Sequence, residues 1–129
     1  VIDPVRFIGN HSSGKMGIAI AETASLLGAN VVLVLGPSSI PVSEKNIHIV
    51  RVTTAQEMYD AVHQYYDATH IAICSAAIAD FKPTTVSDEK IKKKSGQGMS
   101  LALEPTKDIL ARLGLLKKDQ FFVGFVLET

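Results

Sequence analysis

Apolar positions recur along the chain in two rhythms. Ile18, Ala21, Ala24 and Leu27 repeat at helical intervals and are followed by Gly28, which predicts a helix closed by that glycine. Residues 31–35 are an unbroken apolar run stopped by Gly36-Pro37, and they predict a strand buried on both faces. Residues 47–52 predict a second strand. Thr54-Ala55-Gln56-Glu57 then has the spacing of a capping box, and Met58, Ala61, Val62 and Tyr65 form the apolar face of the helix it would open. Residues 70–74 predict a third strand, again apolar enough for burial on both faces. Beyond Ala79 the rhythm breaks: residues 80–88 read as irregular, and Ser95-Gly96-Gln97-Gly98 reads as a turn. Leu101 and Leu103 suit a short strand, Thr106 or Asp108 would cap a helix carrying Ile109, Leu110, Leu113 and Leu116, and residues 121–126 predict the last strand. Helix and buried strand in alternation predict an α/β fold: an open, mostly parallel sheet with helices on both faces, in a Rossmann-like three-layer architecture.

The chain has 129 residues, enough for one domain and its core. Thirteen basic and thirteen acidic side chains cancel, so no overall field draws in a nucleic acid. The exception is the run Lys90, Lys92, Lys93 and Lys94, which reads either as a hydrated surface tract or as a contact for several phosphates. Cys74 is the single cysteine, which excludes an internal disulfide and favours a reducing, cytoplasmic compartment. No targeting peptide or apolar stretch of about 20 residues points to a membrane. Both ends read as incomplete: Pro4 spoils the short segment before the first loop as a central strand, and the chain stops just past a strong strand. The whole of residues 1–129 is therefore expected to be a partial domain lacking elements at one or both ends.

Residues 9–17 spell Gly-Asn-His-Ser-Ser-Gly-Lys-Met-Gly. Gly9, Gly14 and Lys15 keep the spacing of a phosphate loop, but Met16 stands where a magnesium-binding hydroxyl is required, and a thioether is a poor ligand for a hard cation. Ser12, Ser13 and Gly14 precede a helix whose first-turn N–H groups and dipole attract anions. Lys15 is unfavourable at that helix end unless an anion offsets it; the alternative is an ordinary serine cap beside an exposed lysine. His11, His48, His63 and His70 are scattered without the spacing of metal ligands, so no metal site is expected from side chains alone. Arg6 would contact a carboxylate or phosphate, or brace the entry to the loop.

The run from Ile2-Asp3-Pro4-Val5-Arg6 through Gly9-Asn10-His11-Ser12-Ser13-Gly14-Lys15-Met16-Gly17 resembles the signature of phosphopantothenoylcysteine synthetase, the ligase domain of coenzyme A biosynthesis. The resemblance continues through Ala76-Ala77-Ile78-Ala79-Asp80-Phe81, Lys90-Ile91-Lys92-Lys93, Asp108-Ile109-Leu110, and Gly124-Phe125 with Glu128-Thr129. It implies a ligase joining 4'-phosphopantothenate to L-cysteine through an acyl nucleotide, formed from CTP, or from ATP, with release of pyrophosphate. Magnesium would accompany the triphosphate.

Under this resemblance Asn10 and Lys90 are the catalytic candidates, Asn10 holding the activated acyl group and Lys90 stabilising charge on the α-phosphate. Ser12, Ser13, Gly14 and Lys15 would bind phosphate-rich ligand; Ala76, Ala77 and Asp80 would take the base and ribose; Lys92 and Lys93 would position the triphosphate; Phe125 would help form the base pocket. Read from residue types alone, Asn10 is a turn residue, the alanines and Phe125 are core, and Asp80 is a loop cap. A homodimer is implied, as is FMN if a decarboxylase domain is fused to the chain. The pattern departs at Gly9, where relatives carry Ser, at Val126, where they carry Ala, and at Thr106-Lys107, where Pro is common. A non-catalytic nucleotide-binding fragment and a Rossmann oxidoreductase are the alternatives, although no Gly-x-Gly-x-x-Gly turn follows an early strand.

Overall fold

A computed structural model of the chain describes residues 1–92 and 98–125. The element order is α1 (Lys15–Leu26), β1 (Val31–Leu35), β2 (Ile47–Arg51), α2 (Ala55–Tyr66), β3 (Ile71–Cys74), β4 (Phe81–Pro83), β5 (Leu103–Pro105), α3 (Ile109–Leu116) and β6 (Phe121–Gly124). β1 pairs in parallel with β2, Val31 opposite Ile47, and β3 pairs in parallel with β6, Ile71 opposite Phe121. The fold is mixed α/β, as the alternation predicts. Its described strands nevertheless form three two-stranded sheets rather than one continuous sheet.

Local chemistry explains the element boundaries. Gly28 sits at φ 92°, and the N–H groups of Ala29 and Gly28 donate to the carbonyls of Ala24 and Ser25, closing α1 in a Schellman motif. The capping box of α2 forms in full: the Thr54 hydroxyl accepts from the Glu57 N–H at 3.1 Å, while the Glu57 carboxylate accepts from the Thr54 and Thr53 N–H groups. Those amides hold the Glu57 carboxyl below its usual range. Of the two residues proposed to cap α3, Asp108 does so, accepting from the Ala111 N–H at 2.9 Å. Thr106 is used elsewhere.

Four expectations need correction. Residues 81–83 are not irregular; β4 pairs antiparallel with β5, with Lys82 and Glu104 opposite each other and 3.1 Å apart. This hairpin-like pairing joins segments about 20 residues apart, so no short-range turn signal announces it. On α2 the deeply buried aromatic is Tyr66, not Tyr65, whose hydroxyl instead meets His48. Leu27, placed on the apolar face of α1, is exposed beyond the last turn. Finally, β1 and β3 are not buried on both faces along their length. Ala72 and Cys74 of β3 face the core, whereas Ile71 and Ile73 are exposed on a face that no described helix covers there.

One buried cluster lies on the α2 and α3 side of both parallel pairs. Met58 and Tyr66 of α2 meet Ile109 and Leu113 of α3, with Val34, Val52, Ala72, Cys74 and Phe122 packed around them. Tyr66 donates its hydroxyl hydrogen to the Leu113 carbonyl at 3.0 Å, and burial pushes its pKa up. Across β1 from this core, α1 begins against Leu35: a side chain at Gly14 would meet the Leu35 Cδ1 at 3.3 Å. The same helix touches the other pair, because a Cβ on Gly17 would lie 3.0 Å from the Ser75 hydroxyl just after β3.

The segment before α1 is held by a buried carboxylate. Asp3 is 1% exposed. Its Oδ1 accepts from the Val5 and Arg6 N–H groups at 2.9 and 2.8 Å, and its Oδ2 accepts from Arg6 Nε, Arg6 Nη2 and the Ile91 N–H. The Arg6 side chain, followed by the backbone amides, keeps the Asp3 carboxyl charged well below the usual carboxylate range, against the opposing effect of burial.

Two measurements follow from this packing. Leu113→Ala removes a fully enclosed apolar side chain and is expected to lower stability by about 2–5 kcal/mol in urea unfolding. For pH, the unfolded Asp3 takes its proton near about 4 while the folded one stays charged to much lower pH. Its contribution is complete above that range and is lost as the solution is acidified towards the folded pKa. Unfolding midpoints should fall steadily on acidification below about pH 4, and Asp3→Asn should flatten that limb.

Candidate functional site

In parallel α/β pairs, ligands gather at the carboxyl ends of strands. Here three loops meet at those ends. The first is the loop ahead of α1. Gly14 is its N-cap in the left-handed conformation at φ 76°, and a residue without a Cβ adopts that φ freely. The proposed serine cap is not the N-cap itself; Ser13 accepts from the Lys15 N–H at a long 3.3 Å. The N-cap offers no side chain to the first turn, and the first turn holds no acidic residue, which leaves that end suited to an anion. Ser12, Ser13 and Lys15 are exposed beside it.

The second loop follows β3. Asn10 donates its side-chain amide to the Ile78 carbonyl at 3.0 Å, tying the two loops together across 68 residues. Ala76 and Ala77 are exposed rather than packed in the core, so the backbone there is open to approach. Asp80 is exposed too. The Thr106 hydroxyl donates to the Ala79 carbonyl at 2.7 Å, and the Thr106 N–H donates to the Asp80 carbonyl at 2.8 Å, so a residue that the sequence offers as a helix cap or a departure from pattern fixes this loop instead. Phe125 joins the same end: its N–H donates to the Cys74 carbonyl at 3.1 Å, and its ring is half exposed instead of forming core. Cys74 itself is partly buried and its thiol pKa is raised by that burial, which suits packing rather than reactivity.

The third loop was not anticipated. Ser12 and Ser13 share an open cleft of about 710 Å³ with Gly36, Pro37, Ser38, Ser39, Arg51, Val52 and Thr53. Ser38 donates to the Ser13 carbonyl at 2.7 Å and so braces the loop ahead of α1 from the β1 side. The signal for these residues was their position after the carboxyl ends of β1 and β2, where Gly36-Pro37 was read only as a strand stop.

The lysine segment is tied to the segment ahead of α1. Lys90 and Lys92 are exposed on either side of Ile91, whose N–H and carbonyl are held by Asp3 and Arg6. Arg6 therefore braces the entry segment, one of the two roles open to it. No hydrogen bond or ion pair among the described residues links Lys90 or Lys92 to Asn10 or Asp80. Lys93 and Lys94 lie outside the described residues, as do Val126, Glu128 and Thr129.

Neither magnesium nor a flavin finds a ready-made cage. Among the described residues no three His, Cys, Asp or Glu side chains are grouped to hold a metal ion. Among the described residues of the loop cluster the carboxylate is Asp80, which fits an ion carried in by phosphate oxygens. A flavin ring requires an enclosed aromatic or apolar slot, whereas the cleft at Ser12 and Ser13 is open and lined by no aromatic residue. No described helix is long and apolar enough to cross a membrane.

This arrangement has counterparts among known proteins. Over 128 residues the chain is 51% identical to the coenzyme A biosynthesis bifunctional protein CoaBC of Bacillus subtilis, matching 99% of this chain and 31% of that protein. It is 52% identical over 129 residues to a protein of an unknown prokaryotic organism named cysteine/cysteine sulfinic acid decarboxylase, matching 99% of this chain and 36% of that one. The chain thus spans about a third of the length of these relatives. The crystal structure of the C-terminal domain of a CoaBC protein superposes with a TM-score of 0.79 at 43% identity, over 94% of this chain and 55% of the other. A DNA/pantothenate metabolism flavoprotein from Streptococcus pneumoniae shares the fold at 22% identity, with a TM-score of 0.78 over 95% of this chain and 62% of that one. The pattern of one family runs through residues 1–129 without a break, and the chain belongs to the DNA/pantothenate metabolism flavoprotein C-terminal domain family.

Proposed function

We propose that this chain is the nucleotide-dependent ligase part of a coenzyme A biosynthesis enzyme, joining 4'-phosphopantothenate to L-cysteine. The observation that carries the reading is the Asn10 to Ile78 hydrogen bond, which seats an amide from the anion-suited loop beside the exposed alanine loop. Relatives named coenzyme A biosynthesis bifunctional proteins support the choice of pathway. In the first step the substrate carboxylate attacks the α-phosphorus of CTP, an acyl–CMP bond forms, and pyrophosphate leaves. ATP is the other nucleotide to consider. In the second step the cysteine amine attacks the acyl carbonyl, CMP leaves, and the ammonium proton passes to solvent.

Each residue has a part that its chemistry allows. Ser12, Ser13, Gly14 and Lys15 bind phosphate through loop amides, hydroxyls and an ammonium. Ala76 and Ala77 let the base or ribose approach the backbone, Asp80 accepts from ribose hydroxyls, and Phe125 offers a face to the base. Asn10 donates to the acyl oxygen as charge develops there, and Lys90, with Lys92 and Lys93, stabilises the reacting phosphates. Such charges count most when the segment closes on the ligand and water is reduced. Magnesium enters with the triphosphate. FMN and any decarboxylation belong to a fused domain, if one is present, and a homodimer in the cytoplasm is the working state.

The test supplies the intact protein with phosphopantothenate, magnesium, cysteine and either CTP or ATP. Nucleotide-dependent phosphopantothenoylcysteine with pyrophosphate release is the expected result and also settles the base. Nucleotide binding without pyrophosphate release would favour a non-catalytic nucleotide binder, and hydride transfer to a nicotinamide would favour an oxidoreductase. Lys90→Gln should slow acyl-nucleotide formation by roughly 100-fold or more; wild-type rates in both steps would remove Lys90 from the mechanism.

A further inference from the structure

We infer that Asp3 is a positioning residue for the lysine segment: with Arg6 it grips the Ile91 backbone and so sets where Lys90 and Lys92 stand. The inference rests on the ligase reading for its catalytic consequence, but its structural half stands alone. Ile91 is held at both ends of its backbone by one ion pair. Its N–H donates to Asp3 Oδ2 at 3.1 Å, and its carbonyl accepts from Arg6 Nη2 at 3.0 Å, from partners more than 80 residues earlier in sequence. A third tie runs alongside, the Ser87 N–H donating to the Ile2 carbonyl at 3.0 Å.

Residues 84–92 belong to no helix or strand, so these few bonds do for that segment what a ladder does for a strand. The grip is also directional. Lys90 and Lys92 are exposed on either side of the gripped residue, and each ammonium stands at the end of a flexible stem whose root alone is fixed. A root displaced by about 1 Å is enough to lose orders of magnitude in a step that depends on where a charge sits. The chemistry of the knot fits this role better than a ligand site. Both Asp3 oxygens are filled by five donors, and the Arg6 Nη2 already donates twice, to Asp3 and to Ile91. Asp3 is enclosed where no substrate reaches it.

The experiment compares wild type with Asp3→Asn in the intact protein. The neutral amide keeps an acceptor for the local turn but loses the ionic partner of Arg6. Two readouts are taken: hydrogen exchange in residues 87–92 against residues 55–66 of α2, and single-turnover kinetics of acyl-nucleotide formation. The expected result is faster exchange confined to residues 87–92, with kcat for activation down roughly 10- to 100-fold and the nucleotide KM within about twofold of wild type. Unchanged exchange in residues 87–92 overturns the inference, and so does faster exchange with a wild-type activation rate. If Asp3→Asn exchanges rapidly throughout because it does not fold, Arg6→Lys decides on the same two readouts. That variant keeps the charge but loses the planar fork that reaches both Asp3 and the Ile91 carbonyl. Wild type that forms no acyl nucleotide refutes the ligase reading and with it the catalytic half of this inference, while the exchange comparison still shows whether Asp3 grips Ile91.

Discussion

Two pairs of parallel strands that share no hydrogen bonds with each other are made into one body by what packs across them. Val34 and Val52 come from the first pair or its edge, Ala72, Cys74 and Phe122 from the second, and all meet Met58, Tyr66, Ile109 and Leu113 of the two helices. This is apolar burial acting where the ladder does not, and it is non-directional, so it needs help to fix orientation. The Tyr66 hydroxyl on the Leu113 carbonyl supplies a direction, since a buried donor at that depth must be paired. Everything at the carboxyl ends of the strands inherits its spacing from this packing.

On the opposite side α1 bridges the same two pairs through glycines. Gly14 sits against Leu35 and Gly17 against Ser75, at distances that leave little or no room for a Cβ. The loop ahead of the helix is therefore set between the two strand pairs, within reach of both the alanine loop and the cleft at Arg51. Asn10 and Ser38 draw it in opposite directions, one donating to Ile78 and the other to the Ser13 carbonyl.

The sequence was most readable where a residue's task is local. The capping box at Thr54 and Glu57 and the Gly28 terminator are each written within a few neighbours and appear as read, and the strand at Val31–Leu35 has the bounds read for it but not the burial. What escaped was decided at long range. The β4–β5 pairing links segments about 20 residues apart in sequence, the exposure of Ile71 and Ile73 depends on which face a helix covers, and the choice of Tyr66 over Tyr65 depends on where α3 lies. The site divides the same way. The loop at residues 9–17 was legible from spacing, and the order of blocks marked residues 76–80 and Phe125. Ser38 and the Thr106 anchor were invisible because what they do is hydrogen-bond to distant backbone, and Gly36, Pro37 and Ser39 because they line a cleft that only the fold assembles.

The Asp3–Arg6 knot has an electrostatic corollary. The Arg6 guanidinium is offset by the carboxylate it grips, so it adds little to the potential felt by an approaching polyanion. Attraction must come from exposed lysine ammoniums, from Arg51 in the cleft and from the end of α1, all sources that counterions reach easily. With a Debye length of about 8 Å at physiological ionic strength, such a site draws its ligand in only over the last stretch of the approach. Its affinity for a highly charged ligand is thereby tied to the salt around it, while the scaffold beneath, built on a carboxylate buried from solvent, is tied to it less closely.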